Sequence, residues 1–369
     1  MRELWLMCRD ERIARIVDNQ IEIENPALLP LQLARTADFD GWLSMRAVDS
    51  HRTNSRLLKK ALRLEKKDDI STVLHFNAAT ITDAYWVKPP DSELTYEDVQ
   101  FKANQFDMLA LCGDADAFNQ HPSRTPELTN TGSFEKCWRL IDGTWWMYKS
   151  ENALERFSEL FAYQLAKKLH IPAALYELDG QYVRSRDFTD HASVNFEPAY
   201  GIIGEDADER SIYDKLMRLD ERVAKAFVQM SFFDALLFNM DRHEQNYGVL
   251  RDVATGEILG MAPLFDHNIA LISRGYPRNL ARANDRLIHD FAVLVKERDT
   301  GFVLPRLTQD AVRSALALTQ MQPPANEALA ESPEKFVVDF IMNGYRQIQE
   351  LCSELPLQKS VPRHKTHER

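Results

Sequence analysis

Residues 238–250 read FNMDRHEQNYGVL, and residues 262–268 read APLFDHN. Asp241 and Asn246 stand five positions apart, and Asp266 follows 25 residues after Asp241. Outward from this pair of segments the periodicities are clear. Upstream, Val223, Phe227, Met230, Phe233 and Leu237 form a helical stripe over 221–238. Between the two segments, GVLRDVATGEILGMAPLF predicts a short hairpin. Further upstream, AALYELDGQYVRSRDF reads as strand–turn–strand around Asp179-Gly180, and KCWRLIDGTWWMYKS as a hairpin around Asp142-Gly143. A helix over 151–169 separates them, with Leu154, Phe157, Phe161, Leu165 and Leu169 on one face and Pro172 just past its end. The stretch 191–212 reads as an acidic loop, and 262–355 as mainly helical. Residues 1–30 predict three short strands (LWLMC, RIARIV, IEIE), and 55–67 a helix with a basic face of Lys59, Lys60, Arg63, Lys66 and Lys67. Trp42, Tyr85 and Trp86 are expected in a core or an interface. These patterns give domain expectations of 1–120, 121–190 and 191–355, with a disordered tail at 356–369.

The chain has 369 residues, 44% hydrophobic and 27% charged, which is globular composition rather than that of a disordered chain. Forty-five basic against 56 acidic residues leave a net charge of −11. That balance disfavours broad nucleic-acid binding, so no nucleic acid is expected as a partner. Cys8, Cys112, Cys137 and Cys352 are scattered and never form a CxxC pair, so neither a disulfide framework nor a zinc site is expected. The apolar run Leu4–Cys8 is too short for a signal peptide, and no window approaches 18 apolar residues. The expectation is a cytoplasmic protein without a membrane span.

A carboxylate before an amide, then a second carboxylate at the end of a strand, is the set of groups that phosphoryl transfer needs. One carboxylate orients the acceptor hydroxyl and takes its proton, while an amide oxygen and another carboxylate hold magnesium against nucleotide phosphates. The five-residue step from Asp241 to Asn246 equals the D-x-x-x-x-N step of protein-kinase catalytic loops. A lone match of this kind is worth little; the joint pattern with the hairpin and Asp266 is sharper.

DRHEQN followed by APLFDHN resembles the active-site segment of HipA-like bacterial serine/threonine kinases. DRHxxN also occurs in phosphoinositide-kinase relatives. The resemblance implies an α+β, two-lobed protein-kinase-like body with a small β-rich lobe, a larger helical lobe and an N-terminal accessory domain. WLSMRAVDSHRTN and ITDAYWVKPP resemble an accessory segment found ahead of some HipA-like kinase domains. By the same resemblance Asp241 is the catalytic aspartate, His243 the histidine that holds the catalytic turn, and Asn246 and Asp266 the magnesium ligands. Lys149, closing TWWMYK, is the ATP-binding lysine. SELFAYQLAKKLHIPAALYEL resembles the family's acidic-helix segment and makes Glu159 its partner, with Glu155 the alternative. The single-glycine loop TNTGSF, with Gly132 and Ser133, is the candidate phosphate cover. YVRSRDF stands where an adenine-binding hinge belongs, with Val183 to Arg186 offering backbone hydrogen bonds. One departure is Gln245, where the family carries a lysine.

The expected cofactors are therefore ATP and Mg, and the expected activity is transfer to a protein Ser or Thr hydroxyl. Autophosphorylation on Thr129, Thr131 or Ser133, a toxin-like role and an antitoxin-like partner follow from the same resemblance. The alternatives are a lipid or small-molecule kinase of the phosphoinositide type, or a non-catalytic pseudokinase module.

Overall fold

The computed structural model describes residues 2–48, 52, 54–64, 67–113, 124–132, 134–205 and 208–357. In chain order the elements begin with β1 (Glu3–Cys8), β2 (Glu11–Val17), β3 (Gln20–Ile23), α1 (Leu31–Thr36), α2 (Phe39–Ser44), α3 (Ser55–Ala61) and α4 (Asp69–His75). There follow β4 (Tyr85–Lys88), α5 (Tyr96–Val99), α6 (Asp107–Cys112), a 3-10 turn at Pro126–Thr129, β5 (Lys136–Ile141), β6 (Thr144–Lys149) and α7 (Ala153–Leu169). Next come β7 (Tyr176–Asp179), β8 (Tyr182–Arg186), β9 (Val194–Pro198), α8 (Ala199–Ile203), α9 (Glu209–Leu219) and α10 (Glu221–Leu237). The chain closes with β10 (Gly248–Asp252), β11 (Ile258–Met261), α11 (Arg286–Glu297), α12 (Gln309–Leu318) and α13 (Pro333–Leu351). The fold class is α+β, with antiparallel sheets ordered β3-β2-β1-β4, β5-β6-β8-β7 and β11-β10-β9.

The hairpins form where turn chemistry demands them. Asp142 and Gly143 both take positive φ, 48° and 76°, between the paired Ile141 and Thr144. That is the geometry whose twist matches the flanking strands. Gly180, at φ 59°, turns β7 into β8, with Asp179 opposite Tyr182. Helix α10 starts at Asp220, whose side chain accepts the Arg222 N–H, and stops at Phe238 in the left-handed conformation, φ 58°.

Two local expectations are corrected. Helix α3 ends at Ala61, not Lys67; Leu62 caps it and Arg63 has φ 57°, which a helix cannot continue through. The stretch 191–212 is not wholly loop. It holds β9, which pairs with β10 some fifty residues later in the chain, and α8. Residues 358–369, most of the expected disordered tail, lie outside the described residues.

The chain divides into two compact units that are discontinuous in sequence. The first is 1–156, 174–207 and 242–266; the second is 157–173, 208–241 and 267–369. These divisions differ from the contiguous 1–120, 121–190 and 191–355. In the first unit, which contains every described strand, Phe106, Leu109 and Leu111 share one core with Trp86, Trp138, Trp145 and Tyr148, so packing runs on past residue 120. A second core in that unit joins Leu6, Ile13, Phe39 and Trp42 to Tyr85, Ala192 and Val253. Trp42, Tyr85 and Trp86 are buried, as expected. The second unit is helical: α10 packs against α9, α11 and α13, and α13 against α11 and α12. Phe232, Phe291 and Phe302 meet there at centroid distances of 5.5–5.9 Å. No described helix is long and apolar enough to cross a membrane. All four thiols are free, and three of them are buried.

Candidate active site

Lys149 ends β6 directly opposite Lys136, the first residue of β5. Its Nζ lies 2.8 Å from Asp266 Oδ1 and 3.6 Å from Glu151 Oε1, and 5.7 Å from the centre of the Tyr176 ring. Asp266 follows Phe265, which packs with Phe188 and Phe196 at 5.5 and 5.6 Å. Its φ is 61°, a conformation strained for a residue with a side chain, and its N–H donates to Tyr176 Oη at 3.0 Å. Burial would raise the Asp266 carboxyl, but Lys149 and Lys136, then Arg242, outweigh it and hold the group well below the usual carboxylate range.

Lys136 was not singled out from sequence. Burial pushes its ammonium down to about 8; Asp266 works against that and Lys149 adds to it. Gly132 takes φ 101°, and a side-chain carbon there would run into the Lys136 ammonium. The glycine is therefore required for its backbone, while the flexible lysine side chain lies over it. Ser133 lies outside the described residues. Thr129 ends the 3-10 turn, buried, with its hydroxyl donating to Pro126 O at 3.3 Å.

Asn246 is buried, and its N–H donates to His243 O at 2.8 Å. Arg242 Nη1 donates to Asn246 O at 2.7 Å and to Phe265 O at 2.8 Å. One guanidinium thus ties the Asn246 loop to the turn that carries Asp266. His243 stands within the turn it was expected to hold. Its ring is exposed and its Nδ1 accepts the Gln245 N–H at 3.3 Å, a bond inside its own turn. The longer-range tie belongs to Arg242, whose planar fork can reach two carbonyls. A charged residue directly after Asp241 was the available signal.

Asp241 is exposed and is the last residue of its segment of the second unit; Arg242 resumes the first. Asp241 N–H points at Asn239 Oδ1 at 3.4 Å, and Asn239 Nδ2 donates to the buried Asp234 Oδ1 at 2.8 Å. The helix end thereby sets the backbone on which Asp241 sits. Glu159, in the second unit, is fully buried in α7. Glu155 accepts the Asn152 N–H at 3.0 Å and serves the first turn of that helix.

The hinge expectation is narrowed. Val183 pairs with Lys149 on one side and Leu178 on the other, so its N–H and C=O belong to the sheet and are not offered to a base. Arg186 ends the strand, with its N–H donating to Leu175 O at 3.0 Å and its side chain exposed. Immediately after it, the buried Asp187 carboxylate accepts the N–H groups of Thr189 and His191 at 2.9 and 2.8 Å. That holds a turn in which Asp190, His191 and Ala192 all have positive φ.

No protein-family model matches the chain, and no curated protein matches it. Among solved structures, HipA of Shewanella oneidensis MR-1, from a toxin–antitoxin complex with HipB and operator DNA, is similar with a TM-score of 0.52. The likeness covers 94% of this chain and 97% of that one at 13% identity. The Helicobacter pylori proinflammatory kinase CtkA matches over 59% of this chain and 93% of its own, at 17% identity and a TM-score of 0.44. The likeness to HipA over nearly the whole chain, together with the sheets and helices described above, gives this chain a HipA-like, kinase-like α+β fold.

Proposed function

We propose that the chain transfers the γ-phosphoryl group of ATP, with magnesium, to a serine or threonine hydroxyl of a protein. The observation that carries this reading is the 2.8 Å pair of Lys149 and Asp266, on a turn that Arg242 ties to the Asn246 loop. The donor set fits the ligands. Two ammonium groups converge beside a carboxylate, as polyphosphate requires. One carboxylate and one amide oxygen are the kind of incomplete oxygen set that magnesium completes with phosphates and water.

In this reading Asp241 accepts the proton of the acceptor hydroxyl. The hydroxyl oxygen forms the new bond to the γ-phosphorus as the bond from that phosphorus to the β–γ bridging oxygen breaks. Lys149 and Lys136 offset phosphate charge, and Gly132 lets the loop backbone approach. Asn246 and Asp266 would hold magnesium, which when bound neutralises phosphate charge. Arg186 and the residues after it face the base. The HipA that this chain resembles was solved with HipB and operator DNA; an antitoxin-like protein is accordingly the partner proposed.

The test is incubation of the purified chain with labelled ATP and magnesium, alone and with a bacterial lysate, followed by mass spectrometry. Label on Ser or Thr of the chain or of a lysate protein supports the reading. Label found only on lipid or small molecules replaces the acceptor class. ATP binding without any transfer marks a non-catalytic module.

A further inference from the structure

The loop that runs from Asn130 to Lys136 is held at both ends by a buried ion pair lying outside it. Glu127, fully buried, accepts the Trp138 N–H at 2.7 Å and Asn104 Nδ2 at 2.7 Å through Oε1, and Asn130 Nδ2 at 3.2 Å through Oε2. Arg52, equally buried, stands 3.6 Å from Glu127 Oε2. It donates to Lys136 O, to Ala110 O at 3.0 Å and to Asn54 Oδ1 at 2.8 Å. One pair therefore fixes the residue that opens the loop and two residues that leave it.

Stability is a poor explanation for such a pair. Taking both charges out of water costs about as much as their attraction returns, and apolar substitutes of similar volume are often neutral. Here the cost is higher, because Arg52 Nη1 is buried with no hydrogen-bond partner among the described residues. What an apolar pair cannot do is grip Asn130, Lys136 and Trp138 at once. The hydrogen-bonding groups also have a consistent direction. They leave Gly132 and the Lys136 ammonium, which lie against each other, as the part of the loop the pair does not touch.

We infer that Arg52 and Glu127 are positioning residues for nucleotide binding, holding the loop so that Gly132 and Lys136 meet the phosphates. Arg52 comes from the segment expected to be an accessory domain, so that segment supplies part of the nucleotide apparatus. The inference rests on the phosphoryl-transfer reading above.

Three variants test it: Arg52→Lys, Glu127→Gln and Asn130→Ala. The last removes the grip on the loop entrance without stranding a buried charge, so it covers the case in which the first two fail to fold. Hydrogen exchange of peptides spanning 130–138 is measured without nucleotide, and KM for ATP and kcat with it. Faster loop exchange, a KM for ATP raised about tenfold and a kcat within about threefold of the parent are expected. Unchanged exchange, or faster exchange with an unchanged KM, overturns the positioning role while leaving the kinase reading intact. A parent that binds no ATP in calorimetry overturns both, and is seen before any variant is made.

Discussion

Two ammonium groups, Lys136 and Lys149, stand opposite each other on the β5–β6 ladder and both act on the Asp266 carboxylate. Lys149 touches Asp266 directly, so Lys149→Ala should weaken ATP binding by roughly 10–100-fold even without magnesium, as expected for loss of a charge-assisted contact. Calorimetry with and without magnesium checks it; equal affinities would remove Lys149 from the phosphate site. Asp241 is exposed and in the proposed chemistry acts on the hydroxyl rather than on the nucleotide. Asp241→Asn should therefore lower turnover by about 10²–10⁴-fold with ATP affinity nearly unchanged. A variant that turns over at the parental rate would show that the proton goes elsewhere. Asn239→Ala should act on kcat too, by less, because it loosens only the backbone beneath Asp241.

Short strands in this fold depend on close approach more than on propensity. The pairing of β9 with β10 brings Gly248 opposite Pro198, and a Cβ on Gly248 would collide with the Glu197 carbonyl. Glu197 itself accepts from Tyr85 Oη at 2.9 Å and from the buried Arg251, so the strand cannot move aside cheaply. Gly248→Ala should destabilise the protein by more than about 3 kcal/mol in denaturant unfolding, in the range reserved for core and strain effects. Gly143→Ala is the contrast: nothing lies within 4 Å of a Cβ there, and only the positive φ is strained. Its cost should be about 1 kcal/mol. If the two substitutions cost the same, close packing at the β9–β10 pair is not what that strand requires.

For the molecule as a whole, stability should depend on pH through Glu209, in the first turn of α9. Burial, then Asp290, Asp234 and Asp208, raises its carboxyl from 4.5 to about 7. The folded state thus keeps a proton that the unfolded state has lost between these values. Its stabilising contribution is complete below pH 4.5 and disappears as pH rises through about 7. Glu209→Gln should accordingly be more stable than the parent at pH 8, by up to about 3 kcal/mol, with the two converging toward pH 4. Parallel stability curves across that range would mean that Glu209 is not held protonated.

Local signals in the chain were enough for the features whose physics is local. Asp-Gly pairs specify hairpin turns and 3.6-residue stripes specify α7 and α10, while the spacing of Asp241, Asn246 and Asp266 supports the proposed phosphoryl transfer. Tertiary contact decided the rest. Strand β9 has no turn signal of its own and exists because β10 supplies its hydrogen bonds. Val183 looked available to a base until β6 and β7 were found on both sides of it. Nothing local marks the role of Lys136 or Arg242. The carbonyls and carboxylates that give them meaning lie far along the chain. Arg52 and Glu127 are a further case, since 75 residues separate two side chains with a direct ion pair, and 117 separate Lys149 from Asp266. Sequence periodicity reports what a residue does within a few turns or a hairpin, whereas buried charge is placed by whichever distant groups can satisfy it.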